Sequence, residues 1–281
     1  MTTYHDVGYF LDASRMHDPN KLTTCPLCSE SVALALHWRT PCFKRCKQCG
    51  LIFRDPFPSE AELESLYRSS WSDMEAHSDE TGGTDLELGR NIIATLLREL
   101  GRQNFSSQRI LDFGAGRGAM SMVFREKGAD VVAIEPFGYQ RLESFDLPVY
   151  RDLNGLPSDL RFDGIVAIEV LEHLRDPRGL LRRLYLLLKP GGWLFVTTPN
   201  PRGLAARLCG DRWSSASKAG HILFFTAATL HRTLVELGFG TVRQTHWVLR
   251  FPGVSPARAF VKSALQLFHL GGGLRFLAFK D

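Results

Sequence analysis

The chain has 281 residues, a formal net charge of +4, 44% hydrophobic and 23% charged residues, an ordinary globular composition. So mild a charge does not point to nucleic acid, no run of apolar residues is long enough for a membrane-spanning helix, and the acidic first twenty residues (Asp6, Asp12, Asp18) do not read as a secretory signal. Six cysteines without a signal argue for metal or free thiols in a reducing compartment, so a cytoplasmic protein is expected.

Residues 1–20 show no clear period and read as a partly ordered arm. Cys25, Cys28, Cys46 and Cys49 follow with the spacing C-x2-C-x17-C-x2-C, which fits a zinc ribbon. Four thiolates would fill the tetrahedron and leave no open position, so a structural Zn2+ is expected. Cys42 lies outside the knuckles and is read as a bystander. Ser59 and Glu62 form a capping box for a short helix at about 60–68. Residues 69–87 are polar and acidic around Gly82-Gly83 and read as a connector or lid. Ile92, Ile93, Leu96, Leu97 and Leu100 then share one helical face, which Gly101 closes.

The run Ile110 to Gly118 is a buried strand that delivers Asp112 into a turn containing Gly114, Gly116 and Gly118, with a helix directly after. Glycine permits positive φ and lets a ligand approach the backbone. This pattern, with Glu135 at the end of a second strand (131–134), also suits a nicotinamide dinucleotide, and the two readings stay open here. A weak strand near 147–150 precedes Asp152, and a fourth (162–168) runs into Glu169-Val170-Leu171-Glu172-His173. Asp176-Pro177 caps a leucine-rich helix that leads through Lys189-Pro190-Gly191-Gly192 to a fifth strand, 193–198. His221 precedes a helix capped by Thr226, and residues 241–249 and 274–280 read as the last two strands.

Taken in this order, D-F-G-A-G-R-G, the acid after the second strand, F-D-x-I-x-x-x-E-V-L-E-H and L-K-P-G-G resemble the class I S-adenosylmethionine-dependent methyltransferases over about residues 88–245. The N-terminal pattern resembles the ribbon of a subgroup of bacterial small-molecule methyltransferases. The resemblance implies an α/β fold: a Rossmann-like, seven-stranded, mostly parallel sheet with helices on both faces, plus a small zinc ribbon. It divides the chain into 1–68 (arm, ribbon, short helix), 69–87 (connector) and 88–281 (methyltransferase domain, with a helical insertion at about 255–270).

The resemblance also implies residue roles. Asp112 and the backbone of Gly114, Gly116 and Gly118 would hold the methionine part of S-adenosylmethionine, Glu135 its ribose hydroxyls, Asp152 its adenine amine, with Glu169 near the methionine end. Of nine histidines, His221 is favoured as base or substrate orienter, with His173 as the alternative. The implied reaction is methylation of a small-molecule hydroxyl on a sugar, lipid precursor or secondary metabolite. The rivals are an RNA methyltransferase gripping nucleic acid with its ribbon, and a catalytically silent cofactor binder. No Asn/Asp-Pro-Pro-Tyr motif follows the fourth strand and no aromatic basic platform is present, which argues against nucleic acid. Residues 241–281 hold Arg243, Arg250, Arg258, Lys262, Arg275 and Lys280 against Asp281; a solvated core helix, an anionic substrate or peripheral membrane contact would each account for them.

Overall fold

The computed structural model describes residues 22, 24–30, 34–38, 42–76, 82–245 and 270–281. The N-terminal arm, the expected helical insertion at 255–270 and the basic residues Arg250, Arg258 and Lys262 lie outside the described residues. Among those described, no helix is long and apolar enough to cross a membrane.

In chain order the strands are β1 (Leu34–Trp38), β2 (Phe43–Cys46), β3 (Ile52–Arg54), β4 (Arg109–Phe113), β5 (Asp130–Ile134), β6 (Val149–Tyr150), β7 (Phe162–Ile168), β8 (Leu188–Pro199), β9 (Leu223–Phe224), β10 (Phe239–Gln244) and β11 (Gly273–Lys280). The helices are α1 (Glu60–Ala76), α2 (Gly82–Glu99), α3 (Ala119–Glu126), α4 (Tyr139–Glu143), α5 (Pro177–Leu187), α6 (Leu204–Cys209), α7 (Ser214–Ser217) and α8 (Ala227–Glu236).

Seven strands form one sheet in the order β10-β11-β8-β7-β4-β5-β6. β4 is parallel to both β5 and β7, while β11 runs antiparallel between β8 and β10. Side chains on a strand alternate between faces, and the core divides accordingly. Leu111, Phe113, Ile165, Ala167, Leu194 and Val196 join one cluster with α5 and α8. Ile110, Val166, Trp193 and Phe195 join the opposite cluster with α2 and α3. The chain leaves β4 toward β5 and β6, then returns to β7 on the other side of β4. That reversal opens a crevice at the C-terminal ends of β4 and β7, where ligands bind in sheets of this kind.

The caps read from sequence are present. Ser59 N donates to Glu62 Oε2 at 2.7 Å, Gly179 N to Asp176 Oδ1 at 2.8 Å, and Thr229 N to Thr226 Oγ1 at 3.1 Å. The connector expected over 69–87 needs correction. α1 continues to Ala76 and α2 begins at Gly82, so most of that segment is helical. A polar helix is stable when one stripe is buried. Here Leu63 and Trp71, two helical turns apart, are buried, and Tyr67 between them packs against the same core.

The small sheet holds a second departure. Its order is β1-β2-β3-β9, so a two-residue strand from far along the chain completes the ribbon. Ile52 pairs with Phe224 and Phe53 with Leu223, both antiparallel. Thr229 Oγ1 and Arg232 Nη2 of α8 donate to the carbonyl of Cys49 at 2.8 and 3.1 Å. Cys25, Cys46 and Cys49 belong to the same buried cluster as Leu230 and Leu234 of α8. The ribbon is thus built into the larger fold just beside His221.

Candidate active site

The glycine turn shows what each position requires. Gly114 and Gly118 take positive φ (73° and 84°), and a Cβ at either would meet Val170 Cγ2 at 2.7 Å or Leu142 Cδ2 at 2.6 Å. Gly116 also has positive φ (53°), but nothing lies within 4 Å of a Cβ built on it. Two of the glycines therefore allow close packing, and the third faces open space where a ligand can approach. Gly116 N donates to Glu135 Oε2 at 2.8 Å. Glu135 Oε1 accepts from Phe137 N and Gly138 N at 3.0 and 3.4 Å. Burial raises the Glu135 pKa, and these three amides oppose the rise. The residue is poised as an acceptor at the end of β5.

Asp112 lies beneath the turn, only 3% exposed, with Oδ2 accepting from Ser121 Oγ at 2.6 Å. Burial pushes its pKa up to about 6, against the pull of Ser121. An acid whose pKa rises on folding costs stability once it ionises in the native state. The wild type should therefore lose stability relative to Asp112→Asn as pH rises from about 4 through 6, by about 2 kcal/mol between pH 4.5 and 7. Urea unfolding of the ligand-free pair at the two pH values reads this. A stability difference that does not change with pH would contradict it.

Asp152 lies just beyond β6, next to β5, and its Oδ1 accepts from Asn154 N and Gly155 N at 2.6 and 3.1 Å. One carboxylate oxygen is thus engaged in the turn it starts. α1 lies over the loop after β5: the Tyr67 and Phe137 rings are 5.8 Å apart, and a Cβ at Gly138 would run into the Trp71 ring. The sequence marked neither aromatic as part of the site, although the 63-67-71 spacing carried the signal.

At the end of β7 the chain turns sharply through Glu169, whose φ is +53°. Glu169 N donates to Thr197 O at 3.1 Å, and Thr197 Oγ1 donates to Glu169 Oε1 at 2.9 Å. Glu172 is fully buried; Thr198 Oγ1 donates to its Oε2 at 2.9 Å, while Oε1 has no hydrogen-bond partner. Burial, then the neighbouring Glu169, holds the Glu172 pKa well above the usual carboxylate range.

The two candidate histidines are brought together, their ring centroids 4.9 Å apart and nearly perpendicular. His173 Nδ1 lies 2.9 Å from the Gly220 carbonyl, which requires a proton on Nδ1 and leaves the lone pair on Nε2. His221 is buried, and its Nδ1 is without a hydrogen-bond partner. Burial lowers the pKa of His173 to about 4 and of His221 to about 3, so both rings are neutral at pH 7. Tyr67 Oη lies 3.2 Å from His173 Nδ1 and donates to the Gly220 carbonyl, also at 3.2 Å. The Glu172 carbonyl accepts from Ile222 N at 2.8 Å, and the Ile222 carbonyl accepts from Arg54 N at 2.9 Å. β3 of the ribbon, the histidine pair and the β7 end are therefore one hydrogen-bonded unit. Sequence reading assigned no role to Tyr67 or Glu172; the second acid of E-V-L-E-H, adjacent to a histidine, was the available sign for Glu172.

In the ribbon, Cys25 Sγ and Cys49 Sγ are 3.5 Å apart, and Cys28 Sγ and Cys46 Sγ 3.8 Å. A tetrahedral ion with bonds of about 2.3 Å to sulfur has its ligands ~3.8 Å apart, whereas a disulfide needs about 2.05 Å. Cys49 N donates to Cys46 Sγ at 3.3 Å, as knuckle amides do to a thiolate. The four sulfurs fit a metal. Cys42 stands apart from this set.

The fold and the glycine turn with its facing acid define a nucleotide-binding α/β protein of the Rossmann-like class. Residues 86–244, more than half of the chain, match a family described as a methyltransferase domain, and the chain belongs to that family. Ubiquinone biosynthesis O-methyltransferase from Pseudomonas aeruginosa is 30% identical over 110 residues, which is 35% of this chain and 47% of that protein. The protein of the same name from Bordetella avium is 31% identical over 123 residues, 39% of this chain and 51% of that one. The chain thus spans about half the length of the curated relatives it matches. Among solved structures, the 1,6-didemethyltoxoflavin N1-methyltransferase of Burkholderia thailandensis, with its substrate and S-adenosylhomocysteine bound, is similar at a TM-score of 0.51 and 19% identity, covering 82% of this chain and 96% of that one. Magnesium protoporphyrin IX methyltransferase from Synechocystis, with S-adenosylhomocysteine bound, gives 0.54 and 14%, covering 79% and 100%. At such identities the structural likeness concerns the fold.

Proposed function

We propose that this protein is an S-adenosylmethionine-dependent methyltransferase that acts on a hydroxyl group of a small molecule. The observation that carries this reading is the arrangement at the β4 and β5 ends: an open glycine at 116 faces a buried carboxylate at 135, and Tyr67 links the loop after β5 to the histidine pair by packing on both Phe137 and His173. When bound, S-adenosylmethionine supplies a methyl group on a sulfonium sulfur.

The chain's own residues do the rest. Glu135 accepts hydrogen bonds from the ribose hydroxyls, and Gly114, Gly116 and Gly118 let the backbone approach the methionine part. Asp112 supports that turn from below, Asp152 serves the adenine side and Glu169 the methionine end. α1 covers the loop at 137–138 and keeps water out, which favours a displacement in which charge is neutralised. His221 and His173 position the acceptor hydroxyl. A ring with a pKa near 3 or 4 is a weak proton acceptor, so these histidines contribute more by positioning than by basicity. The four cysteines hold a structural Zn2+ that keeps β3 and β9 in register.

The relatives named for O-methylation support the choice of oxygen. Incubation of the zinc-loaded protein with methyl-labelled S-adenosylmethionine and a panel of phenols, sugars, lipid precursors, amines and RNA tests it. The expected product is a methyl ether of a small hydroxylated acceptor, with stoichiometric S-adenosylhomocysteine. Label confined to amines or to RNA would contradict the reading.

A further inference from the structure

One ligand atom from each of Glu172, His173 and His221 lies within 4.8 Å of the others. The surroundings of each residue show which of its atoms is available. Glu172 is fully buried and offers Oε1, which has no hydrogen-bond partner, while Thr198 fixes the other oxygen. His173 has its proton committed to the Gly220 carbonyl, the arrangement that leaves Nε2 as the donor to a metal. His221 is buried and presents an Nδ1 that has no hydrogen-bond partner. Two imidazole nitrogens and a carboxylate oxygen form an N2O donor set, in which Glu172 Oε1 and His221 Nδ1 are buried without a hydrogen-bond partner. Ligands about 2.1 Å from one ion at tetrahedral angles stand ~3.4 Å apart, so the three groups close in by up to about 1.4 Å when an ion binds.

Charge points the same way, for Glu172 is a buried acid whose neighbour Glu169 is exposed. Arg275 of β11 is half-buried, and burial lowers its pKa against the attraction of Glu169. No basic side chain among the described residues makes an ion pair with Glu172.

We propose that Glu172, His173 and His221 form a second metal centre, distinct from the four-cysteine cluster, which takes a divalent cation and through it the oxygen of the methyl acceptor. Two histidines and one carboxylate leave coordination positions open, as a site that must receive a substrate oxygen requires. A hydroxyl on such an ion loses its proton to solvent more readily than a free one. This inference rests on the proposed function for the identity of the acceptor, whereas the metal site itself stands on the geometry.

The test uses Mn2+, which prefers oxygen and nitrogen donors and leaves a zinc-filled thiolate cluster alone. Mn2+ is titrated into the full-length, zinc-loaded chain and followed by electron paramagnetic resonance, with S-adenosylhomocysteine affinity measured in parallel. One Mn2+ should bind per chain, and Glu172→Gln, His173→Gln and His221→Gln should each weaken it at least tenfold. Retention of one zinc per chain and of S-adenosylhomocysteine binding shows that a variant has folded, and three substitutions guard against the loss of any one. Absence of Mn2+ binding in the wild type, or binding unchanged in the folded variants, overturns the metal centre whatever the cofactor does. Failure to bind S-adenosylhomocysteine with Mn2+ still bound would instead overturn the proposed function.

Discussion

Glu135→Gln is expected to weaken S-adenosylhomocysteine binding on the order of 100-fold while leaving the fold intact. A carboxylate that accepts from two ribose hydroxyls makes two charge-assisted hydrogen bonds, each worth about 1.5–3 kcal/mol. Part of that gain is offset, because Oε1 and Oε2 already accept from the amides of Gly116, Phe137 and Gly138. The glutamine would turn an NH2 toward at least one of those donors and disturb the turn as well. A net loss near 3 kcal/mol corresponds to about two decades in affinity. The raised pKa of Glu135 adds a direction: wild-type affinity should fall as pH is lowered through that pKa, and the glutamine variant should lack this dependence. Calorimetry on both proteins at two pH values reads it, and an unaltered affinity in the variant would remove Glu135 from the ribose site.

The second large effect is expected from Cys46→Ser. Cys46 is fully buried, its sulfur lies 3.8 Å from Cys28 Sγ and accepts from Cys49 N, and its carbonyl accepts from Gly50 N at 3.0 Å. Loss of one thiolate should drop zinc content from one per chain toward none and cost the ribbon more than about 4 kcal/mol, enough to unfold it locally. The consequence reaches the site because, among the described residues, β9 has its one partner strand in the ribbon and is preceded by His221. Methyl transfer should therefore fall more than tenfold. S-adenosylhomocysteine affinity should fall less, since Glu135 and the glycine turn are held by the larger sheet. Limited proteolysis with elemental analysis follows the ribbon, and turnover follows the site. A zinc-free variant with wild-type turnover would show that the ribbon does not support the histidines.

Much of this was legible in the sequence because it is written locally. Alternating and continuous apolar runs placed β4, β5, β7 and β8, and the caps at Ser59, Asp176 and Thr226 each involve residues three apart. The cysteine spacing likewise brought four sulfurs together. What escaped depends on contacts far apart in the chain. β9 is two residues long and exists because Ile52 and Phe53 offer it an edge more than 160 positions away. The polar stretch after residue 68 read as a connector because its composition is that of one, whereas Trp71 buries itself against the loop at Gly138 and extends the helix. Glu172 was visible as a letter in a motif. That its Oε1 is left without a hydrogen bond emerges only when Thr198, His173 and His221 are set around it.

The cofactor cradle at the β4 and β5 ends bears the whole functional reading, and calorimetric titration of the intact, zinc-loaded protein with S-adenosylhomocysteine examines it most directly. One site per chain with a dissociation constant in the micromolar range, about −8 kcal/mol, is the predicted result. No heat with S-adenosylhomocysteine or S-adenosylmethionine, together with saturable binding of a nicotinamide dinucleotide, would contradict it.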